Sequence, residues 1–235
     1  ARPDKPGAPL EICALPWPDW CMKEPDLNNA YALSGAEDCL RLYADWANSY
    51  DSDFAAGMDY ILPAQVAAAW VEGGGQGLEA GPVLDIGAGT GLLAEALRAL
   101  GYAGMIDGVD LSAEMLARAG EKGLYRQLHQ ADITRPLPLQ PGYGGLVSSG
   151  TFTHAHVGPE GLPPLLAVAA PGALFALSVN AAVFDKLGFA AALDGLGDAI
   201  TGLDLREVPI YGKAARARDP AHADDRALVV RFRKA

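Results

Sequence analysis

The segment VLDIGAGTG, from Val83 to Gly91, carries the strongest indication of the fold in this sequence. Its first half is a short apolar run that predicts a buried strand, and apolar residues at helical spacing follow from Leu92 onward. Between them lie three glycines at alternate positions, which allow the main chain to turn tightly and to approach a ligand without side-chain obstruction. The glycines are Gly87, Gly89 and Gly91. Strand, glycine loop and helix in this order predict an α/β sheet with a nucleotide-like ligand at its edge.

The remainder of the chain continues the alternation of strands and helices. Further strands are predicted at Met105–Val109, Tyr125–His129, Gly145–Ser148 and Ala173–Val179. The last two predicted strands, Leu203–Ile210 and Ala227–Phe232, have only a polar loop between them, so they should pair antiparallel. The expected fold class is therefore α/β, a Rossmann-like doubly wound seven-stranded sheet, mostly parallel with a reversed edge strand near the C-terminus.

The N-terminal part has a different character. Residues 1–35 are rich in proline and predict an extended arm, whereas residues 36–235 predict the main domain. Within that domain, residues 36–72 predict two helices that fold over it as a lid. On the first helix Cys39, Tyr43, Trp46 and Tyr50 recur on one face, and the second helix is predicted at Pro63–Val71.

Composition narrows the function classes. The chain has 235 residues, a formal net charge of −11 and half of its residues hydrophobic. Such a negative field disfavours nucleic acid as a partner, and no apolar run is long enough to predict a membrane span. Three cysteines near the N-terminus form neither a disulfide framework nor a metal ligand set. We therefore expect a cytoplasmic protein, a monomer or homodimer, without a metal site.

Two aspartates help to decide whether the glycine loop binds a dinucleotide or S-adenosylmethionine. Asp85 lies within the glycine motif, and Asp110 follows Gly91 by nineteen residues. The dinucleotide pattern G-x-G-x-x-G fails because the residue three after Gly89 is Leu92. A carboxylate inside the loop would also repel phosphates. S-adenosylmethionine has no phosphate and carries an ammonium and a sulfonium, so the acidic residue favours S-adenosylmethionine as the cofactor.

With these residues, the sequence resembles the class I S-adenosylmethionine-dependent methyltransferases. The resemblance implies that Asp110, at the end of IDGVDLS, holds the ribose hydroxyls. It also implies that Met115 packs on the adenine and that Asp132, in ADI, accepts from the adenine amino group. A core methionine and a capping aspartate are the alternatives for those two residues. The cofactor-binding set in the described motifs is Asp85, Gly87, Ala88, Gly89, Gly91, Asp110, Leu111, Met115, Asp132, Ile133 and Ser149.

Two further segments resemble a narrower group, the Williams–Beuren syndrome chromosome region methyltransferase-like proteins. They are LYADWANSYDSDF, residues 42–54, and SSGTFTHAHVGP, residues 148–159. In similar enzymes the first segment folds over the cofactor, which implies that Tyr43, Trp46 and Tyr50 contact it. Aromatic faces stabilise a nearby cation such as a sulfonium. The alternative is that this aromatic stripe only seals the helix to the core.

The second segment supplies the candidate catalytic residues, His154 and His156. A neutral imidazole can take a proton from an acceptor hydroxyl or amine, although alignment alone supports much of a methyl transfer, and both histidines are also compatible with a structural role. The segment lacks the N-P-P-Y pattern of amide and adenine methylases, which favours a small-molecule acceptor. The other hypothesis is a non-catalytic S-adenosylmethionine-binding subunit of a methyltransferase complex.

Overall fold

The computed structural model describes residue 47 and residues 50–77, 81–154 and 156–235. The predicted proline-rich arm and most of the first lid helix, with Tyr43 and Trp46, lie outside these residues. The second lid helix is present at Leu62–Glu72 and is called α1. It begins with Pro63 in its first turn, a position where proline's missing N–H costs no hydrogen bond.

Seven strands form one sheet, as the sequence predicts. They are β1 (Val83–Ile86), β2 (Ile106–Asp110), β3 (Gln127–Gln130), β4 (Tyr143–Phe152), β5 (Ala169–Asn180), β6 (Ile200–Pro209) and β7 (Arg226–Lys234). Their order across the sheet is β3-β2-β1-β4-β5-β7-β6. The first five strands pair parallel, and β7 runs antiparallel to both β5 and β6. The reversed strand is thus confirmed, and it lies one position inside the edge, with β6 outermost.

Helices cover both faces of the sheet. After α1 they are α2 (Leu92–Ala99), α3 (Ala113–Glu121), α4 (Leu162–Val168), α5 (Ala181–Phe184), α6 (Phe189–Gly195) and α7 (Ala215–Arg218). A π-helical turn at Tyr50–Ala55 precedes α1. In the described ranges, none of the helices has the length and apolar character needed to cross a bilayer.

The apolar core has two parts, one on each face of the sheet. On one face Val66 and Trp70 of α1 are fully buried together with Leu97 of α2. On the other face Leu165 of α4 packs in a cluster in which the rings of Phe175 and Phe232 stack with their centroids 4.5 Å apart. A sheet buried on both faces requires continuous apolar strands, and this is what the short run before the glycine loop indicates.

A serine and a glycine define two of the helix ends. Ser112 caps α3, since its hydroxyl accepts a hydrogen bond from the backbone N–H of Met115 at 3.2 Å. Gly101 follows α2 with φ of 86°, a left-handed conformation that favours glycine after a helix. These caps fix the ends of the two helices that lead away from the ligand edge of β1 and β2.

Candidate functional site

A cavity of about 300 Å³ opens at the carboxyl ends of β1, β2 and β4. It lies where the chain order reverses between β1 and β4, the position at which open α/β sheets bind their ligands. The predicted cofactor residues on its wall are Tyr50, Gly87, Ala88, Gly89, Asp110, Leu111, Met115, Asp132, Ile133 and Ser149. His156 also lines it, whereas Asp85, Gly91 and His154 do not.

The glycine loop requires glycine for two different reasons. Gly87 has φ of 64°, and a Cβ at this residue would collide with the side chain of Thr151 on β4. Gly89 has φ of 53°, and the nearest atom to its hypothetical Cβ is 3.9 Å away, so its outer side is open to the cavity. Backbone amide groups of the loop can therefore approach a ligand closely.

Asp110 ties the glycine loop to the end of β2. Its Oδ2 accepts a hydrogen bond from the backbone N–H of Gly89 at 2.8 Å, and its Oδ1 accepts one from Ser112 at 2.9 Å. Burial raises the pKa of this carboxyl group, while the backbone hydrogen bonds lower it. An ionised carboxylate has about four acceptor positions, so Asp110 keeps capacity for ligand hydroxyls at the cavity wall.

Asp85 lies behind the loop rather than on the wall. Its side chain is buried, and its Oδ2 accepts a hydrogen bond from the Tyr125 hydroxyl at 2.7 Å. Its Oδ1 has no hydrogen-bond partner in the described part of the chain. Burial raises the pKa of Asp85 to about 7, against the lowering effect of Tyr125, and the nearby Asp110 raises it further. An incompletely satisfied carboxyl beside an open glycine loop fits a cationic ligand group.

Asp132 takes part in a local turn. Its Oδ1 accepts hydrogen bonds from the backbone N–H and the hydroxyl of Thr134, at 2.9 and 2.7 Å. Its Oδ2 pairs with Arg135 at 3.2 Å. The Thr134 hydroxyl is the main reason why the pKa of Asp132 is lowered. Asp132 thus stabilises its own turn and does not cap a helix of the described residues, and it also borders the cavity with Met115 and Ile133; contact with adenine stays a prediction.

The π-helical turn lies against the glycine loop through Asp51. The Thr90 hydroxyl donates to Asp51 Oδ1, and Lys122 Nζ lies 2.7 Å from Asp51 Oδ2. Lys122 also pairs with Glu95 of α2 at 2.9 Å. Tyr50 and Phe54 of the same turn line the cavity, with their ring centroids 5.0 Å apart. The predicted position of Tyr50 beside the cofactor is therefore compatible with the fold.

The end of the cavity beyond β4 contains hydroxyl groups and an imidazole. The Tyr60 and Ser149 hydroxyls are 3.4 Å apart, and burial raises the pKa of Tyr60 to about 12. The Nδ1 of His156 lies 2.7 Å from the backbone oxygen of His154. Burial is the main cause that lowers the pKa of both histidines. Only His156 of the two lines the cavity.

Sequence reasoning missed four residues of this site. Thr151 packs against Gly87, and its hydroxyl donates a hydrogen bond to the Ile86 carbonyl at 3.0 Å. It lies within the segment SSGTFTHAHVGP, but it was not predicted as a site residue. Tyr125 supports Asp85. Tyr60 and Tyr211 form an isolated bridge between segments that are 151 residues apart in sequence, and both line the cavity. Local spacing carries no signal for such a pair.

Comparison with known proteins agrees with this geometry. Residues 83–172 match the family described as a methyltransferase domain. The chain is 31% identical over 153 residues to human methyltransferase-like protein 27. The aligned region covers 64% of this chain and 61% of that protein. The chain therefore spans less than two thirds of the length of this curated relative.

Solved structures share the fold. A S-adenosylmethionine-dependent methyltransferase from Aquifex aeolicus superposes with a TM-score of 0.55 and 20% identity, covering 80% of this chain and 97% of that one. A chain from a complex with a methyltransferase activator of Haloferax volcanii superposes with a TM-score of 0.58 and 16% identity. This match covers 82% of the present chain and 98% of that chain. The seven-stranded sheet thus has the fold of S-adenosylmethionine-dependent methyltransferases, and residues 83–172 match a methyltransferase domain.

Proposed function

We propose that the protein transfers the methyl group of S-adenosylmethionine to a small-molecule acceptor in an in-line reaction. The observation that carries the proposal is Asp110, which joins the open glycine loop to the end of β2 and faces the cavity. S-adenosylmethionine, when bound, supplies a methyl group on a sulfonium that leaves as a neutral thioether. The chain must therefore bind the donor, orient the acceptor and exclude water.

The residues present fit the donor. Asp110 keeps acceptor capacity for the two ribose hydroxyls, and the backbone at Gly89 is open for close approach. Asp85 provides a carboxyl with an unsatisfied oxygen behind the loop, where an ammonium is favourable. Met115 and Ile133 offer apolar surface for a flat ring at the far side of the cavity. Each of these contacts stabilises binding without requiring a phosphate site.

The size of the cavity and the charge of its lining favour a small acceptor that is not an anion. The cavity as a whole measures about 300 Å³, at the lower end of volumes typical of small-molecule sites. Among the described residues that line it, Asp110 and Asp132 are the ones with a formal charge, and both are acidic. Together with a net charge of −11, this disfavours a polyanionic acceptor such as nucleic acid. The methylated atom is an oxygen, nitrogen or sulfur.

Substitution of Asp110 tests the donor site. Asp110→Ala removes the acceptors for the ribose and for the Gly89 N–H, so we expect S-adenosylhomocysteine to bind roughly ten- to a hundredfold more weakly, because hydrogen bonds to a charged group contribute about 1.5–3 kcal/mol. Calorimetry measures the affinity, and Asp194→Ala, an exposed aspartate on α6, is the matched control. Near-normal affinity of Asp110→Ala would remove the ribose assignment.

A second candidate function is a non-catalytic donor-binding subunit that supports a partner. The shared fold with a chain from an activator complex is the observation that favours it. Transfer of a labelled methyl group from S-adenosylmethionine to small metabolites discriminates the two. A labelled product from the purified chain alone supports the enzyme. Donor binding with no product, and product only after a partner is added, supports the subunit.

A further inference from the structure

Asn180 ends β5 and uses only the oxygen of its side-chain amide within the fold. Its Oδ1 accepts a hydrogen bond from the backbone N–H of Ala182 at 2.9 Å, which caps the short helix α5. This bond fixes the orientation of the amide, because a backbone N–H can donate to the oxygen but not to the NH₂ group. The nitrogen Nδ2 carries two N–H donors and has no hydrogen-bond partner among the described residues.

The place of this amide connects it with the cavity. Asn180 is 7% exposed, and it lines the cavity together with Ala227, the residue opposite it on β7. Buried polar groups of proteins are almost always hydrogen-bonded, so an amide donor at such a wall is suited to an oxygen atom of whatever occupies the cavity. Asn180 therefore offers a recognition group that the fold itself does not use.

Neighbouring hydroxyl groups add further neutral donors. Ser178 lies two residues before Asn180, on the same face of β5, and its oxygen accepts a hydrogen bond from the backbone N–H of Gly150 at 3.0 Å. That bond does not use the proton of the Ser178 hydroxyl. The Tyr60 and Ser149 hydroxyls are 3.4 Å apart, and only one of them can donate to the other. All of these residues line the cavity, so its end at β5 is rich in uncharged donors.

This end lies away from the predicted ribose site. Asp110 ends β2, whereas Asn180 ends β5. Strands β1 and β4 lie between β2 and β5, so three strand spacings of about 4.8 Å, roughly 14 Å in all, separate the two strand ends. The glycine loop follows β1, on the Asp110 side of β4. Asn180 is therefore placed for a molecule that occupies the cavity beside the methyl donor.

The surroundings of Asn180 limit the chemistry of that molecule. The ring of Tyr60 lies 5.7 Å from that of Phe54 and 5.9 Å from that of Tyr211, measured between centroids, and all three residues line the cavity. Such rings favour a flat apolar frame. The described lining contains no lysine or arginine, and its formal charges are those of Asp110 and Asp132, which disfavours an anion. A neutral molecule with an oxygen acceptor fits best.

We propose that Asn180 Nδ2 donates a hydrogen bond to a carbonyl oxygen of the methyl acceptor, which is a neutral carbonyl compound on an apolar or aromatic frame. The inference rests on the proposed function and names its substrate class. A carbonyl oxygen has two lone pairs and no proton, so it matches a group that can only donate. The bond holds the acceptor in place without taking a proton from it, which serves the alignment that an in-line transfer requires. Asn180 is thus a specificity-determining residue.

Three probes of similar shape test this in the full chain saturated with S-adenosylhomocysteine. Acetophenone has a carbonyl group on an aromatic ring, α-methylstyrene replaces the carbonyl oxygen by a methylene group, and benzoate replaces the neutral group by an anion. In ¹⁵N-labelled protein we expect acetophenone to shift the Nδ2 resonance of Asn180 and to bind about fivefold more tightly than α-methylstyrene, the effect of one hydrogen bond. An unmoved Asn180 resonance, equal binding of these two probes, or tighter binding of benzoate would overturn the proposal.

Substitutions that retain the helix cap separate recognition from folding. Asn180→Ser and Asn180→Asp keep a side-chain oxygen for the Ala182 N–H and lack the Nδ2 donor. We expect both variants to lose the preference for acetophenone, so that its affinity equals that of α-methylstyrene. Gln127→Glu, the same change from amide to acid at an exposed residue of β3, is the matched control and should retain the preference. A preference in Asn180→Ser equal to that of the parent would contradict the role of Asn180.

The same samples distinguish failure of this inference from failure of the proposed function. S-adenosylhomocysteine affinity, measured by calorimetry, reports on the donor site. Loss of that binding in the parent chain contradicts the proposed function, whereas intact binding with an unresponsive Asn180 contradicts only the role of Asn180.

Discussion

At the scale of single residues, Asp85 links donor binding to pH. Its folded-state pKa is raised to about 7 by burial, so the carboxyl holds a proton at pH 6 and is about half ionised at pH 7. An ammonium bound nearby stabilises the ionised form, and binding must then release that proton. The sign follows directly: affinity for S-adenosylmethionine rises as the pH increases toward 7.

We expect this rise to be roughly fivefold between pH 6 and pH 7, which corresponds to the change in the ionised fraction of a group with that pKa. Calorimetry in two buffers of different ionisation enthalpy measures both the affinity and the proton release. Asp85→Asn cannot titrate and serves as the control, with an affinity that is flat over the same range. An equal pH slope in the parent and in Asp85→Asn would show that another group is responsible.

Sequence reasoning was most successful for residues whose role is local. Gly87 and Asp110 lie at fixed distances along one strand–loop–helix unit, and the structure places both at the cavity. Tyr125 supports Asp85 across 40 residues, and Tyr211 meets Tyr60 across 151, so these contacts depend on how whole elements pack. Asp107 is another example, because its buried carboxylate pairs with Arg126 at 2.6 Å and accepts from the Tyr143 hydroxyl. No local pattern indicates any of these partners.

At the scale of elements, the π-helical turn Tyr50–Ala55 is held over the glycine loop by Asp51. Asp51→Asn weakens the ion pair with Lys122 and the hydrogen bond from Thr90. We expect a loss of about 1 kcal/mol, or roughly fivefold, in donor affinity, because the pair is partly exposed and screened by solvent. Hydrogen exchange of the turn should quicken at the same time. Calorimetry and exchange measured on one sample check both effects.

Asp53→Asn is the matched control, since Asp53 lies on the same turn and, among the described residues, its carboxylate accepts a hydrogen bond from the neighbouring Ser52 hydroxyl. It should change neither the exchange rate nor the affinity. If Asp51→Asn and Asp53→Asn behave alike, the turn is held by its rings and not by Asp51.

The sequence predicts the type of each strand and helix better than its first and last residues. The strand after residue 142 extends to Phe152 instead of ending at Ser148, because its pairing with β5 resumes at Phe152 and Val179 after a register shift. The apolar pattern of β4 ends where its side chains begin to face the cavity, because polar residues such as Ser149 and Thr151 lie there. The functional edge of a strand is thus the part that an apolar pattern identifies least well.

At the scale of the whole molecule, seven strands, their mostly parallel arrangement and the reversed strand near the C-terminus all follow from the sequence. The polar segment between the last two strands predicts antiparallel pairing, and this pairing is confirmed, although the short helix α7 lies in the connection. The position of β7 between β5 and β6 required the structure, because the same local pattern is compatible with either strand outermost. The fold then places the carboxyl ends of β1 and β4 side by side, which creates the cavity.

The central claim is that this cavity binds S-adenosylmethionine rather than a dinucleotide. Titration of the full chain with S-adenosylmethionine, S-adenosylhomocysteine and NADH in one calorimetric series tests it most directly. We expect saturable binding of the first two ligands at a single site and no binding of NADH, because its phosphates would be repelled by the carboxylate of Asp110 on the cavity wall. Binding of NADH alone would contradict the account.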